Sequence, residues 1–138
     1  MQKHLEYLGL HTCVILNKDK IVFSSDASGV KPLLDYYHQY GTSNISLTVV
    51  DKIMGSGAVL LAKRINADTI YTPIISKDAI ELAHFYHMNV QYLEIVPYII
   101  NQAKTGRCPI ESSVLGITDT TEGYLRILDT LKKLSQNK

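Results

Sequence analysis

The chain of 138 residues is 46% hydrophobic and 20% charged, which fits one domain over residues 1–138 whose core buries roughly two-thirds of the surface the unfolded chain exposes. Fourteen basic against thirteen acidic residues leave a formal charge of +1 with no basic run, so nucleic acid is not an expected partner. The first residues lack the apolar centre of a signal peptide, and no apolar run approaches the ~20 residues of a membrane span. The expected setting is therefore cytoplasmic, with no membrane partner.

His4 to Leu8 reads as a short starting helix. Thr12 to Leu16 and Ile21 to Ser24 are β-rich runs around Asn17-Lys18-Asp19-Lys20, which is turn chemistry and predicts a β-hairpin. Cys13 sits among apolar neighbours in the first run and reads as a small buried hydrophobe. With Cys108 as the only other cysteine there is no disulfide framework, and both are expected as free thiols. Val30 to Tyr40 carries Pro32 in a first turn and Gly41 past its end, the punctuation of a helix with Leu33, Leu34, Tyr37 and Tyr40 as its buried stripe.

Thr48 to Asn66 is predicted as one buried helix capped by Asp51, because Ile53, Met54, Ala58, Leu61, Ala62 and Ile65 recur at helical spacing. Gly55 and Gly57 in its first turns each cost about 1 kcal/mol relative to alanine, which implies that something packs or binds close to the backbone there. Thr69 to Ile75 is almost continuously apolar, as in a strand covered on both faces. Asp78 to Glu81 has capping-box spacing and opens a helix carrying Ile80, Ala83, His84 and His87 as far as Asn89. Val90 to Val96 is the next strand, and Tyr98-Ile99-Ile100 reads as another strand or an ordered crossing. After a loop from Gln102 to Arg107, Pro109 starts a short helix that Gly116 ends. Asp119 to Glu122 repeats the capping-box pattern before a last helix with an apolar face of Tyr124, Leu125, Leu128, Leu131 and Leu134. Buried strands alternating with helices predict a three-layer α/β/α sandwich on a mixed sheet.

Several stretches carry a resemblance: Gly29 to Leu34, Asp51-Lys52 with Gly55, Val96 to Asn101, and Thr105 to Glu111. On these the chain resembles a small prokaryotic family of single-domain proteins of unassigned function with a cytidine deaminase-like fold. Ser56 stands where a lysine is expected in such relatives. True deaminases hold zinc through a His or Cys two residues before a catalytic Glu at one helix start and a Pro-Cys-x-x-Cys at the next. Here those starts read Asp51-Lys52-Ile53 and Ser76-Lys77-Asp78-Ala79, without thiolate or imidazole, so neither a zinc cofactor nor zinc-dependent deamination is expected.

The resemblance implies two helix N-termini facing one cleft, where N–H groups and the helix dipole favour an anion. One reading is therefore a binding or regulatory module for a nucleotide or related phosphate-bearing metabolite. Asp51, Lys52, Gly55 and Ser56 would cradle the phosphate, Lys31 would assist, and Tyr98, Asn101 and Cys108 would line the other wall, with Tyr98 stacking on a base. The bland alternative makes Asp51 only an N-cap and Lys52 a solvated cation. A second reading is a thiol-dependent enzyme or redox sensor in which Cys108, after Arg107 and before a helix, is the nucleophile and Glu111 the proton carrier. Its bland counterpart is a helix start fixed by Cys108-Pro109. A third is an oligomeric scaffold without ligand, and a homo-oligomer is expected from analogy with the fold. His84 and His87 read as part of an amphipathic face rather than a metal pair.

Overall fold

The computed structural model describes residues 2–101 and 104–136. After a one-turn helix α1 (Gln2–Leu5) and a 3-10 turn (Glu6–Leu8), the expected hairpin forms from β1 (Cys13–Asn17) and β2 (Lys20–Ser25). Lys18 takes the left-handed backbone that the tight turn requires, φ 55°. α2 (Lys31–Tyr40) follows and stops at Gly41, φ 72°, whose N–H donates to Tyr37 O at 2.8 Å. Its buried stripe differs from expectation. Tyr36 is buried edge-on to Phe23 of β2, while Tyr37 is half-buried and Tyr40, in the last turn, is exposed.

The segment predicted as one helix from Thr48 is instead strand, then helix. It divides into β3 (Leu47–Asp51), β4 (Ile53–Met54) and α3 (Ser56–Arg64). Thr48, Val49 and Val50 are β-branched and pair on both sides, with β1 and with β5 (Ala67–Ser76), so tertiary pairing sets their conformation. Gly55, extended at φ −99° and ψ −178°, is the residue before the helix, and Asp51 ends a strand rather than capping a helix. The left-handed stop at Asn66 is present, φ 78°.

β5 runs between β3 and β4 on one side and β6 (Asn89–Val96) on the other, all four parallel, while β1 is antiparallel to β2 and β3. Pro73, which has no N–H to offer, falls between the registered pairs Thr72↔Tyr92 and Ile74↔Glu94. Between β5 and β6 lies α4 (Lys77–Phe85). Its N-cap is Ser76, whose Oγ accepts Ala79 N–H at 3.1 Å, so the cap stands two residues before the predicted Asp78. The helix ends before His87, φ 58°, which leaves His84 and His87 off a common helical face. Tyr98-Ile99-Ile100 is a crossing rather than a strand, with an isolated bridge from Ile100 to Arg107. Gln102 and Ala103 of the predicted loop lie outside the described residues. α5 (Pro109–Ser113) and α6 (Thr120–Gln136) complete the chain, and Asp119 Oδ1 accepts the N–H groups of Thr121 and Glu122 at 2.8 and 3.4 Å.

The result is an α/β sandwich on a mixed six-stranded sheet with unequal outer layers. The larger core joins residues of α2 to α6 with β1, β3, β4 and β5. On the other face, Leu5, Tyr7 and Leu8 cover Val14, Leu16, Val50 and Tyr71, and His4 stacks on Tyr71 at 3.8 Å. Among the described residues no helix is long and apolar enough to cross a membrane.

α3 is the helix around which the others pack, with Val59 to Ala62 fully buried and α2, α4, α5 and α6 all against it. Arg64 at its end donates to the hydroxyls of Thr120 and Thr121 at 3.1 and 3.0 Å and lies over the rings of Tyr37 and Tyr124. The buried face of α6 is set by Gly123 and Ile127, whereas Leu125 and Leu134 of the predicted face are exposed. A Cβ at Gly123 would stand 2.1 Å from Leu60 Cδ1, so only glycine lets α6 approach α3 this closely. Gly123→Ala is expected to lower the unfolding free energy by about 1–3 kcal/mol through overpacking, despite its better helix propensity. In urea denaturation, Leu60→Ala combined with Gly123→Ala should then cost less than the sum of the two single changes.

Candidate functional site

Three segments distant in sequence meet on the buried carboxylate of Glu111. Cys108 is extended and Pro109 fixes the first helical position, so Glu111 occupies the first turn of α5 and turns inward with Ile110. Its Oε2 accepts the backbone N–H of Ser56 at 2.8 Å and Ser56 Oγ–H at 3.2 Å, and it also accepts Ser76 Oγ–H in a short contact. Its Oε1 accepts the N–H of Ile99 at 2.8 Å. Ser56 N–H is the first of the α3 donors that have no acceptor within the helix, and Ser76 is the cap of α4. The carboxylate thus stands where two helix N-termini would otherwise receive an external anion.

This arrangement explains the glycines. A Cβ on Gly55 would lie 3.0 Å from Ile99 and 3.1 Å from Glu111 Oε2, and one on Gly57 would lie 2.9 Å from Ile110 Cγ2. The close approach implied by the sequence is made by α5 and the crossing strand of the chain itself.

Beside this junction a cleft of about 210 Å³ opens between α4 and the residues that follow α5. α4 contributes Asp78, Glu81, Leu82 and Phe85, the opposite wall is Val114 to Thr118, and Ser56 reaches it from α3. Positions 78, 81, 82 and 85 have the i, i+3, i+4, i+7 spacing of one helical face. That face is bifunctional: two carboxylates at its start and, at its end, a Phe85 ring that is 60% exposed. A larger hollow of about 660 Å³ at the hairpin turn, among Asn17, Lys18, Asp19, Lys20 and Ile45, is walled by exposed or half-exposed turn side chains and offers no preorganised polar group.

Of the binding residues expected from sequence, only Ser56 lines the cleft. Gly55 packs against Ile99 and Glu111. Lys31 is exposed and paired with Asp35 at 3.1 Å, and Lys52 is exposed with its backbone N–H donating to Thr12 O. Tyr98 lies half-buried beneath the Arg107 guanidinium, 4.6 Å from its ring centre. Asn101 closes its own loop, accepting Thr105 N–H at 2.9 Å and donating to Thr105 Oγ1 at 3.1 Å. Cys108 is half-buried against the main core, its N–H donating to Ile99 O at 2.8 Å. The sequence marks Asp78 and Glu81 only as a capping box and does not single out Phe85, although the three share one helical face with Leu82. Among the described residues, no three or more His, Cys, Asp or Glu side chains are grouped so as to hold a metal ion.

Asp51 is buried at the end of β3, opposite Cys13 of β1 in the antiparallel register. Oδ1 accepts Ile53 N–H at 3.4 Å, and Oδ2 is buried without a partner. Loss of solvent pushes its acid up to about 7, against the opposing pull of the Ile53 and Lys52 N–H groups and the Cys13 thiol. The same burial, with the Asp51 charge adding to it, raises the Cys13 thiol well above its ordinary range.

Comparison with known proteins gives a family and a solved structure of that family. The family profile described as TM1506, domain of unknown function DUF1893, matches residues 1–131. The crystal structure of a DUF1893 family protein, TM1506, from Thermotoga maritima is similar at 25% identity with a TM-score of 0.79, over 96% of this chain and 88% of that one. Comparison with curated proteins gives no match.

The Asp51 environment makes a signed prediction. A folded-state acid near 7 against an unfolded one near 3.8 means that the native state holds the extra proton between those values. Unfolding free energy should therefore fall as pH rises from about 4 to about 7, by at most about 4 kcal/mol from this group. Asp51→Asn, which mimics the protonated acid, is expected to flatten that part of the stability profile measured by chemical denaturation.

Proposed function

The chain belongs to the DUF1893 family of unknown function, and from that premise we propose that it is a zinc-free, deaminase-like binding module whose α4 cleft takes a small nucleoside-like metabolite. The observation that carries this reading is the face of α4, where Asp78 and Glu81 share one wall with Leu82 and the exposed Phe85. Carboxylates accept hydrogen bonds from vicinal hydroxyls or an exocyclic amine, and an exposed aromatic ring offers a stacking surface for a heterocycle. The volume of about 210 Å³ lies below the ~300–1,000 Å³ of drug-sized pockets and suits a compact ligand.

The charge of the cleft narrows the ligand class. Glu111 already occupies the helix N-termini, and Asp78 and Glu81 repel a further anion, so a nucleotide would have to direct its phosphate out of the cleft. Support therefore favours the nucleoside part over the phosphate. The thiol reading has less behind it, because the Cys108 side chain is half-buried against the core and Glu111 is engaged with Ser56, Ser76 and Ile99.

Saturation-transfer NMR with a panel of purine and pyrimidine nucleosides tests the proposal. At least one should receive saturation from the protein, its 5′-phosphate should bind no better, and Glu81→Gln or Phe85→Ala should each weaken binding about tenfold, the loss of ~1.4 kcal/mol expected for one good contact. No saturation across the panel, or binding indifferent to both substitutions, would reject it.

A further inference from the structure

From the geometry of β6 we infer that this strand is the contact through which two copies of the chain join, antiparallel across a two-fold axis, into one continuous twelve-stranded sheet. Among the described residues β6 pairs only with β5, so along its outer edge alternate residues present N–H and C=O groups with no described strand beside them. Chains normally blunt such edges with a lysine, a proline, a bulge or a very short strand. β2, the opposite edge, does so: it carries Lys20, and its pairing with β1 shifts register at Ile15/Leu16. Of such devices, edge charges included, β6 has only the single carboxylate of Glu94. Its eight residues, Asn89–Val96, contain no Lys, Arg, Pro or Gly and pair with β5 without a shift.

Its side chains are also those of a surface meant to be covered. Val90 packs on the main core, so Val90, Tyr92, Glu94 and Val96 lie on the helix face, and Gln91, Leu93 and Ile95 lie on the opposite one. Leu93 is 68% exposed, Ile95 47% and Tyr92 41%.

A second copy is the occupant because the strand is complementary to itself in one register. Directly opposed residues in an antiparallel pair share a face, so a two-fold axis perpendicular to the sheet must pass through a residue position. Centred on Glu94, it sets like charges opposite each other, which is destabilising. Centred on Tyr92, it opposes Val90 to Glu94 of the second copy and leaves Val96 outside the paired strand. Centred on Leu93, it opposes Leu93 to Leu93, Val90 to Val96, Gln91 to Ile95, and the Tyr92 hydroxyl to the one charged side chain of the strand, Glu94. This contact is independent of what occupies the α4 cleft.

Light scattering across a concentration series and cysteine cross-linking test the inference together. The wild-type chain should scatter as a dimer of the 15.5-kDa chain. Leu93→Lys, at an exposed position, should give a folded monomer with unchanged circular dichroism, whereas Ile21→Lys on the opposite edge should remain dimeric. Under mild oxidation Leu93→Cys should form a 93–93 disulfide, identified by peptide mass mapping, because opposed Cβ atoms lie about 4.5–5.5 Å apart and a shift of about 1 Å brings them to the ~3.5–4.5 Å of a disulfide. Gln91→Cys should form no 91–91 link. A wild-type chain that is monomeric at every concentration, a dimer that survives Leu93→Lys, or a monomer carrying a foreign segment on β6 would each overturn it.

Discussion

A single carboxylate holds the centre of this fold. Glu111 gathers Ser56 at the start of α3, Ser76 at the start of α4 and Ile99 in the crossing after β6, segments that the pairing of β4 with β5 and of β5 with β6 brings side by side and whose polar groups this side chain joins. Each partner is a donor with no acceptor of its own: a first-turn N–H of a helix, a cap hydroxyl already engaged by Ala79 N–H, and an N–H outside any strand. Buried donors left unpaired cost roughly 1–3 kcal/mol each, so satisfying four of them, two from Ser56 and one each from Ser76 and Ile99, with one carboxylate is a strong local constraint. The packing of α5 follows, since Glu111 can reach the junction only if Ile110 sits on Gly57 and Ile99 sits on Gly55.

The same constraint redirects the functional reading. Two converging helix N-termini would ordinarily suit a phosphate, but here the anion is part of the chain, and the free space lies beside it, along the acidic and aromatic face of α4. Elsewhere the structure keeps polar groups it has not fully satisfied. Asp51 faces Cys13 with one oxygen unpaired, which makes the end of β3 sensitive to pH. The open edge of β6 is a third feature, and it concerns association rather than a small ligand.

Much of this architecture is legible in the sequence where the signals are local. The hairpin turn, Pro32 and Gly41 around α2, Asn66 and the Asp119 cap all act over a few residues and stand where they were expected, whereas α5 ends at Ser113, ahead of the expected stop at Gly116. Thr48 to Met54 misleads because its apolar residues, on either side of Asp51-Lys52, satisfy helical and strand spacing alike, and only pairing with β1 and β5 decides between them. Ser76 was available as a cap directly after a strand, yet Asp78 has the same chemistry two residues on, and the geometry at Ala79 N–H chooses between them. The glycines at 55 and 57 reported close approach correctly but not by what. Glu111 lies 55 residues from Ser56 and 35 from Ser76, and no local pattern encodes such a pairing.

Amide hydrogen exchange at Ser56 and Ile99, followed residue by residue by NMR, tests the role of Glu111 most directly. Neither N–H has a helical or ladder acceptor, so protection can come only from the carboxylate. Slow exchange of both, with a common opening free energy, is the predicted result. Exchange of either at the rate of an unbonded surface amide would contradict the account.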